Sequence, residues 1–219
     1  MKSIVKNKNI AIIYADNLEK VNLDFLEIQK SVQKQTPFGK IECLELPNFN
    51  IFYANSGIGL NNAAALTQHL IDKYQVEIIY NYGAVGSVNN IEIGTIIYPK
   101  KFFLLDAITP WYQAGVTPGE LPYLKNNILN KENGDIILGS SNSFIDNIEK
   151  LKIFPQVKFV EMEAFAIAFI CQKNQVKFAC IKYVSDIIGS NSDFEIVNNA
   201  IKKGAKKALE KIFKYLKNQ

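Results

Sequence analysis

The chain has 219 residues, of which 48% are hydrophobic, and a formal net charge of +4. A chain of this length and composition can bury one sizeable core, so we predict a single domain over residues 1–219. It contains no run of eighteen apolar residues and no charged, apolar leader, so we expect neither a membrane span nor a signal peptide, and therefore a cytoplasmic protein.

The charged and metal-binding side chains exclude several classes of site. All 25 basic residues are lysine, so no planar guanidinium is available to grip a phosphate with two parallel hydrogen bonds. Four lysines cluster near the C-terminus, where a solvated helix face explains them better than nucleic-acid binding: Lys202, Lys203, Lys206 and Lys207. The three cysteines lack metal-binding spacing and His69 is the only histidine, so we predict free thiols, no metal and no cofactor.

The first third of the chain predicts strands followed by a helix. Residues 10–14 form a short apolar run that is typical of a buried strand. Residues 38–46 and 49–55 predict a hairpin. The sequence S-G-I-G at 56–59 then precedes an amphipathic helix predicted over residues 60–74. Glycines at such a point let a ligand approach the backbone near a helix N-terminus.

The middle of the chain contains a strand and two loops. Residues 76–82 predict a strand, and the small residues 83–87 after it indicate either a tight turn or a binding site. Residues 109–123 contain three prolines and the only tryptophan, which is typical of a loop that covers a site or contacts another subunit. Residues 135–138 predict a further short strand.

The most informative stretch runs from residue 157 to residue 186. Residues 157–160 predict a strand, 164–172 a helix that is buried on most sides, and 176–184 a second strand. Such a βαβ unit would make the two strands parallel and bring their carboxyl ends to one edge of the sheet, where ligands bind. Acidic residues follow both strands there, although a helix dipole alone also favours acids at a helix start: Glu161, Glu163 and Asp186.

The last segment predicts a C-terminal amphipathic helix that packs on the sheet. Ser192 and Glu195 have the spacing of a capping box, and apolar residues recur at helical intervals as far as Leu216.

These motifs resemble one known family. A strand, V-E-M-E-A at 160–164, an apolar helix and a strand ending in Ser185 and Asp186 are similar to the nucleoside phosphorylase and nucleosidase superfamily, and within it to the methylthioadenosine and S-adenosylhomocysteine nucleosidases. The motif at 56–59 occurs in that family in the same place. The resemblance covers most of the chain. It implies an α/β fold, a three-layer α/β/α sandwich with a mixed, twisted central sheet, and a homodimer.

The resemblance also implies a reaction and the residues that perform it. The N-glycosidic bond of a purine nucleoside would be hydrolysed through an oxocarbenium-like transition state. Asp186 would be the acid at the purine, which near neutral pH requires a raised pKa. Glu19 would orient the attacking water and Glu163 would hold the ribose hydroxyls. Met162 would pack beneath the sugar, while Glu161 would support the site.

Further residues match family positions that contact the ligand. Phe144 would stack on the purine, an interaction of roughly 1 to 3 kcal/mol, and Ile145 would offer its backbone to the base. From the residues alone, Phe144 could instead be a core residue that starts a helix. Ser185 would accompany Asp186, and Phe194 would lie near the 5′ end of the ligand.

Three positions depart from the family pattern. Asp16 replaces a usual methionine. In the stretch 81–87, whose backbone in the family approaches the sugar near Gly86, Ala84 stands where a hydroxyl is usual. Lys182 stands where an arginine is usual, and lysine supplies the charge without the two-pronged geometry. Because Ala84 and Lys182 match the side of the attacking group, a nucleoside-binding paralogue with impaired catalysis is one alternative.

A second alternative is a purine nucleoside phosphorylase. Phosphorylases of this superfamily resemble the hydrolases with an added phosphate site, built from a Gly-Asp-Pro loop after the first strand and several arginines. This chain has Ala-Asp-Asn at 15–17 and no arginine. Hydrolysis is therefore the first hypothesis, and phosphorolysis through lysines the second.

Overall fold

The computed structural model describes residues 7–26, 28, 30–112, 124–125, 135–190 and 193–218. Within them lie eleven strands: β1 (Lys8–Tyr14), β2 (Lys30–Thr36), β3 (Gly39–Glu45), β4 (Phe49–Asn55), β5 (Ile78–Ser87), β6 (Ile96–Ile97), β7 (Lys101–Leu104), β8 (Leu124–Lys125), β9 (Ile137–Ser140), β10 (Phe159–Glu161) and β11 (Lys177–Ile187). The α-helices are α1 (Leu60–Tyr74), α2 (Ala164–Lys173) and α3 (Phe194–Lys217), and short 3-10 turns cover Asn17–Glu19 and Ile148–Leu151.

The strands form one mixed sheet in the order β2-β3-β4-β1-β5-β10-β9-β7-β8. Outside this order, β11 pairs with β5, and β6 pairs with β11. β1 is parallel to both β4 and β5, and β11 is parallel to β5. β10 runs antiparallel to β5. The long strand β5 is therefore the centre of the sheet.

Helices cover both faces of the sheet, as the alternating side chains of the strands require. In β1, Ala11 and Ile13 belong to the core cluster that includes α1 and α2. Ile10 and Ile12 belong to the cluster that includes α3. All four are fully buried, and each large side chain contributes roughly 1.5 to 3 kcal/mol on burial. The predicted three-layer α/β/α fold is confirmed.

Several predicted elements are confirmed with small shifts at their ends. α1 and β4 have the predicted bounds, β3 and β4 form the predicted antiparallel hairpin, and α3 is the predicted C-terminal helix. β2 was not predicted because its residues are polar and mostly exposed. It is a strand only because it pairs with β3 along seven residues.

Two predictions about β5 and β11 were wrong. Residues 83–87 are not a turn, because they continue β5 to Ser87 and pair with β11 along their length. β11 likewise does not stop at residue 184, since it continues past a bulge to Ile187. Small residues near a strand end resemble a turn in sequence, but here a partner strand supplies their hydrogen bonds.

The predicted parallel arrangement of β10 and β11 was also wrong. β11 is parallel to β5 and β10 is antiparallel to it, so β10 and β11 run in opposite directions where they flank β5. A three-residue apolar strand carries no signal for its direction, which is set by the neighbours it pairs with.

Some expectations fall outside the described residues. These include Ser192 of the predicted capping box and most of the predicted loop, residues 113–123. The cap seen at α3 is Asp193, whose side chain accepts a hydrogen bond of 2.7 Å from the backbone of Glu195. None of the helices in the described ranges has the length and apolarity needed to cross a bilayer.

Candidate active site

The candidate site lies where one edge of β5 is left open. β11 occupies one edge along the whole strand, so β1 and β10 share the other. On this second edge, β1 pairs with residues 78–81 and β10 with residues 86 and 87. No described strand pairs with the second edge of residues 82–85 between them. Because β1 and β10 run in opposite directions, their carboxyl ends face each other across this gap.

A cavity of about 410 Å³ opens beside the gap, a volume suited to a small molecule. Six of the described residues that line it are acids: Asp16, Glu19, Asp146, Glu161, Glu163 and Asp186. None of the described lining residues is a lysine, and most of the others are apolar. The cavity therefore offers carboxylates and apolar surface to a ligand.

Glu19 enters the cavity from the 3-10 turn that follows β1. Glu19 is 5% exposed, and its carboxylate accepts four hydrogen bonds. Oε1 accepts from the backbone of Ala84 at 2.7 Å and from the hydroxyl of Tyr183 at 3.2 Å. Oε2 accepts from the backbones of Ala15 at 3.0 Å and Asp16 at 3.3 Å. These donors fix the direction of the carboxylate.

The local sequence explains why Glu19 reaches this place. Asp16 and Glu19 form a capping box, in which the Asp16 side chain accepts from the backbone of Leu18 at 2.7 Å. Gly83 leaves room for the carboxylate, because a Cβ there would lie 2.9 Å from Glu19 Oε1. A larger residue at position 83 would push the acid out of position.

Glu161 is held entirely by the protein. Oε2 accepts from Lys182 Nζ at 3.0 Å and from the backbones of Glu163 at 3.0 Å and Ala164 at 2.8 Å, while Oε1 accepts from the Ser140 hydroxyl. Burial alone would lower the pKa of Lys182, but neighbouring charges, Glu161 first, outweigh it and raise that pKa. The pair thus anchors the start of α2 at the cavity, and the supporting role of Glu161 stays a prediction.

Among the described residues, Glu163 is the carboxyl group whose pKa departs furthest from its ordinary value. It is 6% exposed, and Oε1 accepts a hydrogen bond of 2.8 Å from the backbone of Gly59. Burial, followed by the charge of Glu161, raises the pKa of Glu163 to about 8 despite the opposing effect of Lys182. Gly59 has a φ of +101°, which glycine adopts readily, so the S-G-I-G motif is what brings this donor to Glu163.

Asp186 enters the cavity at the bulge in β11. Its neighbour Ser185 places its hydroxyl 2.6 Å from Asp186 Oδ1 and 3.3 Å from the carbonyl oxygen of Val85. Asp186 is half-buried and lines the cavity. A Cβ on Gly86 would lie 3.2 Å from Asp186 Oδ2, so the absence of a side chain there keeps this oxygen accessible.

The structure brings most of the predicted residues to the cavity, but not all. Phe144, Ile145, Met162, Ala84 and Gly86 line it, together with Glu19, Glu161, Glu163, Ser185 and Asp186. Phe144 is 68% exposed and lies outside the helices, so the alternative that it is a core residue starting a helix was wrong.

Two predicted residues are not among the described residues that line the cavity. Lys182 is 1% exposed and bonded to Glu161, and Phe194 is 79% exposed.

Sequence reasoning missed a second group of lining residues. Val197 and Ile201 of α3, Leu18, and residues 187–190 after the bulge also line the cavity. Val197 and Ile201 carried a signal, because they are half-buried members of the apolar face of α3. Tyr183, which bonds Glu19, has no marker in the sequence other than its place in an apolar strand.

The fold and the acid-lined cavity define a class of protein. A family model described as the phosphorylase superfamily matches residues 9–217, and the chain belongs to this superfamily. This confirms the family predicted from the sequence.

Individual relatives indicate the kind of enzyme within this superfamily. A 5′-methylthioadenosine/S-adenosylhomocysteine nucleosidase of Buchnera aphidicola is 32% identical, over 93% of this chain and 98% of that protein. The predicted enzyme class, an N-glycosidase, is thereby confirmed.

Solved structures show the same fold. A futalosine hydrolase of Helicobacter pylori matches with a TM-score of 0.87 and 17% identity, over 97% of this chain and 98% of that one. A 5′-methylthioadenosine/S-adenosylhomocysteine nucleosidase of the same species, with butyl-thio-DADMe-Immucillin-A, matches with a TM-score of 0.85 and 17% identity, over 97% and 99%.

Proposed function

We propose that this protein hydrolyses the N-glycosidic bond of a purine nucleoside, with 5′-methylthioadenosine and S-adenosylhomocysteine as the first candidates. The observation that carries the proposal is that Glu19, Glu163 and Asp186 line one cavity, although they are far apart in the chain. The 32% identity to a nucleosidase that bears these two substrates in its name supports the choice of candidates.

Asp186 is the acid of the proposed reaction. When the bond from C1′ to the purine breaks, negative charge develops on the base, and a proton delivered to the ring stabilises the leaving group. The Ser185 hydroxyl holds Asp186 Oδ1, and Oδ2 lies against Gly86 with space for a ligand. Phe144, exposed at the cavity, offers its ring to the face of the base.

Glu163 and Glu19 serve the sugar and the water. With a pKa of about 8, Glu163 is protonated in the free protein at neutral pH, so its carboxyl group can donate to one ribose hydroxyl and accept from another. Glu19 is the base that directs a water to C1′ and accepts its proton. The backbone N–H of Ala84 donates a hydrogen bond to Glu19. Position 84 therefore contacts Glu19 without the side-chain hydroxyl that is usual in the family.

The charge of the cavity supports water over phosphate as the attacking group. A phosphate dianion needs cations or directed N–H groups, whereas six carboxyl groups and no lysine are found among the described lining residues. Lys182, the one lysine that is buried in the described part of the chain, is bonded to Glu161, and the sequence has no arginine.

The test is purine release from both candidate nucleosides, measured with and without phosphate, for the wild type and Asp186→Asn. General acid catalysis contributes roughly a hundredfold or more, so we expect the variant to lose at least about that factor while its unfolding by urea is unchanged. Asp72→Asn, an exposed aspartate on α1, is the matched control and should keep full activity.

Each of the other results of this experiment would replace one part of the proposed function. Near-normal turnover in Asp186→Asn would remove Asp186 as the acid. Purine release that requires phosphate would establish a phosphorylase, and thermal stabilisation by a nucleoside without any release would establish a binding protein.

We also propose that the protein is a cytoplasmic homodimer that binds no nucleic acid. Ile108, Trp111 and Tyr112 support the dimer, because they are 60%, 83% and 48% exposed on one short segment. Large apolar side chains grouped on a surface are typical of contacts with another chain.

A further inference from the structure

Tyr183 contacts the proposed base of the reaction from the side opposite the cavity. Its hydroxyl donates to Glu19 Oε1 at 3.2 Å, and its side chain is fully buried in β11. Of the four donors to this carboxylate, three are backbone N–H groups. Tyr183 is therefore the donor that a substitution can remove without altering the backbone.

The Tyr183 ring is held in one orientation by α3. Gly204 of that helix packs flat against the ring, and a Cβ on Gly204 would overlap ring atoms. Burial, followed by the charge of Glu19, raises the pKa of Tyr183 well above its ordinary value. The hydroxyl thus stays protonated over the whole working pH range and always has a proton to donate.

The main chain of Glu19 is held separately by a second tyrosine, whose hydroxyl also contacts that of a third. Tyr82 donates from its hydroxyl to the Glu19 carbonyl oxygen at 2.9 Å, and the Tyr82 and Tyr53 hydroxyls lie 2.7 Å apart. The position of the backbone therefore does not depend on Tyr183. What Tyr183 adds is the direction of the carboxylate.

We propose that Tyr183 is a positioning residue that aims the Glu19 carboxylate at the attacking water. This inference rests on the proposed role of Glu19 as the base. Four protein donors already share the two carboxylate oxygens, so the water has to bind in the direction that they leave open. Without the hydroxyl, Oε1 keeps only the backbone donor of Ala84, and the carboxylate gains freedom to rotate.

The test is Tyr183→Phe, which removes the hydroxyl and keeps the ring. A hydrogen bond to a charged group corresponds to roughly a tenfold to hundredfold effect, so we expect kcat to fall by about tenfold or more with little change in KM. A purely structural tyrosine would instead lower the free energy of unfolding in urea without this selective loss of kcat.

Tyr80→Phe is the matched control. Tyr80 is a fully buried tyrosine of the neighbouring strand β5, and its hydroxyl has no hydrogen-bond partner among the described residues. Removal of the Tyr80 hydroxyl should leave kcat and KM unchanged.

A double-mutant cycle with Glu19→Gln tests whether Tyr183 acts through Glu19. If it does, adding Tyr183→Phe to Glu19→Gln should cost no further activity. Independent losses that multiply, or an unchanged kcat in Tyr183→Phe, would overturn the inference. Failure of the proposed function can be distinguished from failure of this inference. If the proposed function is wrong, the wild type releases no purine or Glu19→Gln stays active.

Discussion

At the scale of single residues, Glu163 couples the site to the stability of the fold. Its pKa is raised from the ordinary value of 4.5 to about 8, chiefly by burial. Between these two pH values the folded protein holds a proton that the unfolded chain releases. The folded state is therefore favoured at low pH, and the free energy of unfolding falls as the pH rises through this window.

We expect the loss of stability between pH 5 and pH 8 to be roughly 3 kcal/mol from Glu163 alone. Glu163→Gln should flatten this part of the curve, because glutamine does not titrate. Urea unfolding followed by circular dichroism across this range measures the effect. The exposed Glu77→Gln should retain the wild-type slope, and an equally steep slope in Glu163→Gln would show that another group is responsible.

Lys182 stands where an arginine is usual in the family, and its buried surroundings accommodate the lysine. The lysine is 1% exposed and bonds one carboxylate oxygen of Glu161 at 3.0 Å. A buried ion pair is tolerated when the remaining lone pairs are satisfied, and the donors from Glu163, Ala164 and Ser140 do this. A single-pronged cation is therefore sufficient at this position.

At the scale of elements, the site depends on how α3 packs against β11. Gly204 has no side chain, which lets the helix approach Tyr183 closely, and Tyr183 in turn contacts Glu19. Through Tyr183, α3 thus fixes the position of the proposed base, Glu19, although this helix contributes few residues to the cavity wall.

Gly204→Ala should destabilise the protein although alanine is the better helix former. The gain in helix propensity is roughly 1 kcal/mol, whereas overpacking a rigid ring costs about 1 to 3 kcal/mol and displaces Tyr183. We therefore expect a net loss of stability in urea together with a lower kcat. Lys203→Ala on the exposed face of the same helix should change neither, and a Gly204→Ala protein as stable as the wild type would refute the tight packing.

At the scale of the whole molecule, the proposed dimer can be followed with a single natural probe. Trp111 is the only tryptophan of the sequence and is 83% exposed in the isolated chain. If the segment around it contacts a second subunit, its fluorescence should shift to shorter wavelength as the protein is concentrated, since the indole leaves water.

Sedimentation should then give twice the chain mass of 24.7 kDa, and Trp111→Ser should shift the equilibrium toward the monomer. Phe25→Ser is a suitable control, because Phe25 is also exposed, at 44%, on a different part of the surface. A monomer at every concentration, with emission typical of exposed tryptophan, would exclude the dimer.

The sequence by itself determined the local elements and much of the site. The apolar strands, the amphipathic helices α1 and α3, and the buried helix α2 follow from hydrophobic periodicity, which reports burial directly. The acids Glu161, Glu163 and Asp186 were predicted to meet, and they do line one cavity. Glu19 and Phe144 were reached through the family resemblance, since neither stands out chemically in the chain.

Only the tertiary structure decided how these pieces meet. The antiparallel direction of β10, the continuation of β5 through residues 83–87 and the polar strand β2 all depend on which strand supplies the hydrogen bonds. The same holds for the contact of Tyr183 with Glu19, which joins residues 164 positions apart. Periodicity records whether a side chain is buried, but pairing between distant segments is a property of the folded chain, and the open edge of β5 exists only there.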